Sequence, residues 1–186
     1  MAKDHVAHDR LVDHLRTHAI RTDGPFTLRS GAVSDWYIDA RQTTFDGKGA
    51  TAVGEALVAV LDPSVVAVGG MTMGADPIAL ATAVCGAAAG RDIRAFSIRK
   101  AEKDHGTGGR LVGPVAPGDV VALVDDTVTT GGALVESLEV CQEAGLVIAQ
   151  VLAIVDRSDG AVAERMAAAG LTFAALVDVS ELGVGP

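Results

Sequence analysis

Aromatic side chains make up only 3% of the 186 residues. A core without them must be built from Ala, Val, Leu and Ile, which suits a parallel sheet covered by Ala-rich helices. Cysteine is equally scarce. Cys85 and Cys141 are the two present, and no Cys-x-x-Cys spacing occurs. Two buried free thiols in a reducing cytosol are therefore expected, not a disulfide framework. No apolar run reaches the roughly 18 residues of a membrane-spanning helix, and the polar, His-rich start does not read as a signal peptide. The expectation is a soluble, cytoplasmic protein. Positive charge is short too: 15 Lys+Arg against 24 Asp+Glu give a formal net charge of −9. That balance opposes binding to a polyanion such as nucleic acid.

What remains is an apolar chain, 49% hydrophobic and long enough for one sizeable core. It reads as a single domain over 1–186, with helix and hood elements over about 1–45 and an α/β core over about 46–180. An amphipathic helix is predicted over Asp4–Ile20, with Leu11, Val12, Leu15 and Ala19 on one face. Short strands follow at Phe26–Leu28 and Trp36–Asp39, then a helix over Ala50–Leu61. From there strands and helices alternate. The strands are Val65–Val68, Arg94–Ile98, Val120–Val124, Val147–Val155 and Phe173–Val177. The helices are Ile78–Ala89, one ending at Ala144, and one from about Ala161 to Ala169. Asp76-Pro77 reads as an N-cap followed by a proline at the first helical position. Alternation predicts an α/β fold: a central, mostly parallel sheet flanked by helices, with a small N-terminal hood. Ligands of such sheets collect beyond the carboxyl ends of the strands. Gly69-Gly70, Arg99-Lys100, Asp125-Asp126 and Asp156-Arg157 follow four of these strands, so they converge on one candidate site.

The most informative stretch is Val120–Leu138. A strand that can be buried on both faces runs into Asp125 and Asp126, then Thr127-Val-Thr-Thr-Gly-Gly132, then a helix. Free N–H groups and the positive dipole end at a helix start favour an anion. Thr129 and Thr130 add hydroxyl donors, and Gly131 and Gly132 let a phosphate approach the backbone. There is no Walker lysine and no Gly-x-Gly-x-x-Gly. Two carboxylates beside a phosphate cradle would repel a bare polyphosphate, but they suit the hydroxyls of a sugar. Ribose 5-phosphate satisfies both halves. The plain alternative is an ordinary strand–helix turn with acidic residues.

Arg91, Arg94, Arg99, Lys100, Lys103 and Arg110 form a basic island on this acidic chain and suggest a local anion site; a solvated charged loop is the commoner reading of such runs. Almost nothing between Arg99 and Arg110 is apolar, and glycines follow the cations, so a lid ordered by its ligand is expected. His5, His8, His14 and His18 include an i, i+4 pair, but without a matching carboxylate or Cys a solvated helix face is the expectation.

Residues 121–132 resemble the PRPP-binding motif of the type I phosphoribosyltransferases. Three further segments resemble the orotate phosphoribosyltransferases among them: Arg99-Lys-Ala-Glu-Lys-Asp-His-Gly106 their mobile loop, Phe26–Gly31 with Ser34–Asp39 their N-terminal substrate segment, and Val155-Asp-Arg157 their orotate-contacting arginine. The resemblance implies transfer of ribose 5-phosphate from PRPP to orotate, giving orotidine 5′-monophosphate and pyrophosphate. It also implies a homodimer whose loop reaches over the neighbouring subunit's site. Arg99, Lys100, Lys103 and His105 would be catalytic and hold pyrophosphate. Asp125, Asp126, Thr127, Val128, Thr129, Thr130, Gly131, Gly132 and Ala133 would hold ribose and 5-phosphate, with Arg29 a further PRPP contact. Thr129 and Arg157 would hold orotate; Tyr37 and Ile38 could flank the pyrimidine or equally pack in the core or hood. A guanidinium grips a carboxylate in bidentate fashion, and orotate carries one; a surface Arg157 paired with Asp156 or Asp159 is the alternative. Mg²⁺ would ride mainly on PRPP, with no dedicated protein site.

Two departures stand out. Many members have Lys in place of Arg29, and many carry Tyr-Lys where this chain has Thr72-Met73. Any PRPP contact from that turn must then come from backbone N–H groups or Thr72. A purine or uracil phosphoribosyltransferase would explain the Asp125 motif but not the Arg99–Gly106 loop. A non-catalytic PRPP sensor would need a nucleic-acid-binding surface, for which the charge is wrong. A generic nucleotide-binding module is a weaker option.

Overall fold

The computed structural model describes residues 5–27, 31, 33–101 and 109–184. The first helix, α1 (His5–His14), ends in a π-helical turn, Leu15–Ala19, and buries Ala7, Leu11, Val12, Leu15 and Ala19. Two small antiparallel ribbons follow. β1 (Ile20–Arg21) pairs with β4 (Tyr37–Ile38), and β2 (Phe26–Thr27) pairs with β3 (Val33–Ser34). A one-turn helix, α2 (Arg41–Thr44), precedes α3 (Gly47–Val60). α2 is not among the predicted elements, and α3 starts three residues before the predicted Ala50. The Asp46 side chain is the N-cap, accepting from the N–H groups of Lys48 and Gly49 at 2.9 and 3.0 Å. Gly49 masks the start because space demands it: a Cβ there would lie 2.2 Å from the Thr43 carbonyl oxygen.

The remaining strands are β5 (Ala67–Met71), β6 (Arg94–Ile98), β7 (Leu111–Val112), β8 (Val120–Val128), β9 (Val147–Asp156) and β10 (Phe173–Val177). They form a six-stranded sheet in the order β10-β9-β8-β5-β6-β7, parallel except for β7. Helices α4 (Ala75–Ala88), α5 (Gly132–Glu143) and α6 (Ala161–Ala168) connect them. Alternate β8 side chains feed two cores. Ala122 and Val124 pack with Leu57 and Ile78 on the side of α1, α3 and α4; Val121 and Leu123 pack with Leu134, Val162 and Met166 on the side of α5 and α6. The chain leaves β5 for β6 in one direction and leaves β8 for β9 in the other. β5 and β8 therefore flank a topological switch point, where a crevice opens at their carboxyl ends.

Two predicted strand boundaries change. β5 begins two residues later than the predicted strand and contains Gly69 and Gly70, which the prediction places just after it. A Cβ on Gly69 would lie 2.4 Å from the Phe96 carbonyl oxygen, and one on Gly70 2.3 Å from that of Val124. Close approach of neighbouring strands, not a turn, selects glycine here. β8 runs four residues past Val124, so Asp125, Asp126 and Thr127 are strand residues. Asp76 does not cap α4; it lies in that helix's first turn. Cys141 is buried and its thiol is pushed up to about 12 by burial, while Cys85 is only partly buried. Among the described residues no helix is long and apolar enough to cross a membrane.

Candidate functional site

The β5–β8 pairing ends at Gly69 and Leu123. Beyond it β8 is paired only with β9, and it carries Asp125 and Asp126 into the crevice. Each carboxylate is fixed by the backbone: Asp125 Oδ1 accepts the Asp126 N–H at 2.9 Å, and Asp126 Oδ1 accepts the Thr127 N–H at 2.7 Å. Burial, and then the neighbouring Asp126 charge, push the Asp125 carboxyl up to about 7. The turn after β5 meets this pair at Gly74, where a Cβ would lie 2.9 Å from Asp125 Oδ1 and 3.1 Å from Asp126 Oδ1. Any larger residue would displace a carboxylate.

That turn is tied down by Asp76. Its two oxygens accept the Thr72 and Ser97 hydroxyls, each at 2.6 Å, and the Thr72 N–H donates to the Ile98 carbonyl at 2.8 Å. The Thr72 hydroxyl hydrogen is thus already committed. Of the two donors expected from this turn, backbone N–H groups remain.

The Thr129–Gly132 turn links the carboxyl end of β8 to α5. Thr129, Thr130 and Gly132 are exposed. Gly131 is left-handed at φ 69°, and the first N–H groups of α5 beyond it have no intrahelical acceptor. Helix α6 supports the turn from behind. Arg165 donates to the Thr130 carbonyl at 3.0 Å, and a Cβ on Gly131 would lie 2.9 Å from the Val162 side chain. Val128 and Thr127 contribute differently from the exposed turn residues. Val128 is buried in the core, and the Thr127 hydroxyl is buried with no hydrogen-bond partner among the described residues. Ala133 is partly buried.

Arg157 lies at the end of β9, its N–H donating to the Val128 carbonyl at 2.8 Å. Its guanidinium carbon stacks 4.0 Å from the centroid of the Trp36 ring. Burial lowers its pKa, and Tyr37 opposes that shift. Among the described residues no carboxylate forms an ion pair with it, so neither Asp156 nor Asp159 is its partner. Tyr37 is partly buried with its ring 5.8 Å from that of Phe26; the Ile38 side chain is buried in the core. Asp39 and Arg41 form an ion pair at 2.7 Å, and Arg41 also feels the charge of Asp126. Trp36, predicted as the first residue of a strand, instead precedes β4 and lies under the Arg157 guanidinium.

The basic island divides in two. The Arg91 guanidinium donates to the Val58, Leu61 and Asp62 carbonyls at the carboxyl end of α3. Arg94 pairs with Asp119 at 2.9 Å, and Arg110 with Glu136. These three are structural. Arg99 and Lys100 follow β6 at the carboxyl edge and have no carboxylate partner among the described residues. Lys103, His105 and Arg29 lie outside the described residues. Of the N-terminal histidines, His8 contacts Glu181 at 2.6 Å, and His14 contacts Asp46 at 2.9 Å and stacks against His18.

No family model matches the chain. Individual relatives do. The orotate phosphoribosyltransferase of Streptomyces avermitilis is 42% identical over 175 residues, covering 94% of this chain and 96% of that protein. Among solved structures, the orotate phosphoribosyltransferase of Mycobacterium tuberculosis H37Rv in complex with Fe(III) dicitrate has a TM-score of 0.82 at 34% identity. The same enzyme in complex with PRPP has a TM-score of 0.77 at 31% identity. Each of these structural matches covers 96% of this chain and 99% of that one. With the acidic pair, the glycine turn and the strand-end arginine gathered at one switch point, and with identity of this extent along nearly the whole length, the chain belongs to the orotate phosphoribosyltransferase family.

Proposed function

We propose that the chain transfers ribose 5-phosphate from PRPP to orotate, releasing orotidine 5′-monophosphate and pyrophosphate. The reading rests on one juxtaposition: a carboxylate pair, a phosphate-gripping helix start and an arginine with no carboxylate partner among the described residues, all at the carboxyl edge of β8 and β9. The N–H groups and hydroxyls of residues 129–132 hold the 5-phosphate. Asp125 and Asp126 accept from the ribose hydroxyls. Arg157 grips the orotate carboxylate, with Thr129 and Tyr37 beside the base.

Breaking the anomeric C–O bond builds positive charge on the ribose and negative charge on pyrophosphate while orotate N1 forms the new bond. Arg99, Lys100, Lys103 and His105 are the cations assigned to the leaving group. Removal of one preorganised electrostatic donor typically costs about 10²–10³ in rate. Closing residues 99–110 over the site would exclude water and limit hydrolysis of PRPP.

The donor set fits Mg²⁺ in a limited way. Asp125 and Asp126 offer hard oxygens, but one oxygen of each already accepts a backbone N–H. Among the described residues no cluster of three or more His, Cys, Asp or Glu could hold a metal ion. Mg²⁺ would be held mainly by PRPP, with these two carboxylates acting through water, and would neutralise charge on the leaving group.

A homodimer with shared sites completes the reading. It is supported by the exposed apolar face of α4, where Leu80 and Val84 are 61% and 70% exposed on a helix that begins beside the crevice. The free thiols are in keeping with a cytoplasmic enzyme.

The test is to incubate the protein with PRPP, Mg²⁺ and each free base in turn. Loss of orotate's near-UV absorbance is expected. Turnover of a purine or uracil without loss of orotate would reassign the base. Binding of PRPP with no turnover of any base would make the chain a sensor.

A further inference from the structure

Among the described residues the Arg157 side chain is held by a ring and by no carboxylate. Its partner, Trp36, is the single tryptophan of the chain and is 9% exposed. The ring is itself anchored. Trp36 packs into the core shared by α1 and α3, and its carbonyl accepts the Ser34 hydroxyl at 2.8 Å. On the other side, the Arg157 N–H is fixed to the Val128 carbonyl, the last residue of the acidic strand. The residue is therefore anchored at both ends, its backbone at the carboxyl end of β8 and its guanidinium on the hood.

The kind of clamp matters. A carboxylate partner would occupy two in-plane N–H donors and neutralise the charge. A ring beneath the guanidinium face attracts the cation through its quadrupole and leaves the in-plane fork unoccupied. Among the described residues no acceptor takes a hydrogen bond from the Arg157 side chain, and no carboxylate pairs with it. An oriented, unneutralised fork suits a planar carboxylate on a ligand.

We infer that Trp36 is a positioning residue that sets the selectivity for a base carrying a carboxylate, by holding the Arg157 guanidinium in place without neutralising it. The inference rests on the reading of Arg157 as the orotate contact. It adds a residue outside the strand–turn–helix motif, and it locates base choice in a contact between the hood and the sheet.

Orotidine 5′-monophosphate and uridine 5′-monophosphate differ only in that carboxylate, so calorimetric titration of the full chain with each isolates the effect. The wild type is expected to prefer orotidine 5′-monophosphate. Trp36→Leu should lower that preference about tenfold with the affinity for uridine 5′-monophosphate unchanged, a pattern that general structural damage would not produce. Trp36→Phe should keep part of the preference, and Arg157→Gln should abolish it. In the wild type, orotidine 5′-monophosphate should change the indole emission, and uridine 5′-monophosphate at equal occupancy should not. If Trp36→Leu fails to fold, as judged by its unfolding midpoint, Trp36→Phe and the wild-type emission carry the test. An unchanged preference on replacing Trp36, or emission indifferent to orotidine 5′-monophosphate, overturns the role of Trp36 while the Arg157→Gln result still stands. Equal wild-type affinity for the two nucleotides overturns the orotate reading on which it rests.

Discussion

Arg110 is ion-paired with Glu136 of α5, which fastens the far end of the charged segment to the helix that opens at the phosphate turn. The same guanidinium donates through Nε to the Arg99 carbonyl at 2.7 Å, and the Arg99 N–H returns to the Arg110 carbonyl at 2.8 Å. One arginine thus closes the neck from which Lys100 departs. Arg110→Ala should lower kcat/KM for PRPP roughly five- to tenfold by releasing that neck. Glu136→Gln should cost less, within about threefold, because an exposed partner contributes about 1 kcal/mol or less. Steady-state kinetics at fixed orotate check both. Equal effects would show that the ion pair, not the neck, is what matters.

The glycines of the crevice should separate fold from function. In Gly74→Ala the new Cβ meets only the ends of the Asp125 and Asp126 side chains. Its expected effect is a raised KM for PRPP with a stability loss of about 1 kcal/mol. In Gly70→Ala the Cβ meets the Val124 backbone, so about 3 kcal/mol or more of stability should be lost. Chemical denaturation beside kinetics distinguishes them, and a Gly74→Ala protein with unaltered KM would remove the acidic pair from the PRPP site.

Asp125 gives the stability a specific pH dependence. Its carboxyl is raised to about 7 by burial and by Asp126, above its value in the unfolded chain. Between about pH 4 and 7 the folded state therefore binds more protons than the unfolded state, and stability falls as pH rises. Asp125→Asn removes this term. The variant should be stabilised relative to wild type by an amount that grows from pH 4 to 7, on the order of a few kcal/mol, then levels off. A stability difference independent of pH would contradict the assigned burial.

Lys103 is expected to act on the leaving group. Lys103→Ala should reduce turnover about 10²–10³-fold with an unchanged unfolding midpoint. If sites are shared between subunits, mixing Lys103→Ala chains with Asp126→Asn chains should restore part of the activity through mixed dimers. Absence of recovery would place each loop over its own site.

Much of this site was readable from sequence because its signals are local. Asp125–Gly132 is a contiguous strand–turn–helix, and its residue types point to a sugar phosphate before any fold is known. The alternation of elements likewise gave the mostly parallel sheet. What was hidden depends on neighbours distant in sequence. Gly69 and Gly70 resemble a turn until Phe96 and Val124 press against them. Asp76 resembles an N-cap until Ser97 and Thr72 supply its hydrogen bonds. Arg91, Arg94 and Arg110 look like ligand cations until the Leu61 carbonyl, Asp119 and Glu136 take them up. Trp36 lies 121 positions from Arg157 along the chain, and no local pattern links the two.

The most direct test of the central claim is a competition. The protein, Mg²⁺ and limiting PRPP are combined with equal amounts of orotate, uracil, adenine and hypoxanthine, and the nucleotide formed is identified by mass. Orotidine 5′-monophosphate as the dominant product, with pyrophosphate in equal amount, is the predicted result. A purine nucleotide, uridine 5′-monophosphate or no nucleotide at all would contradict it.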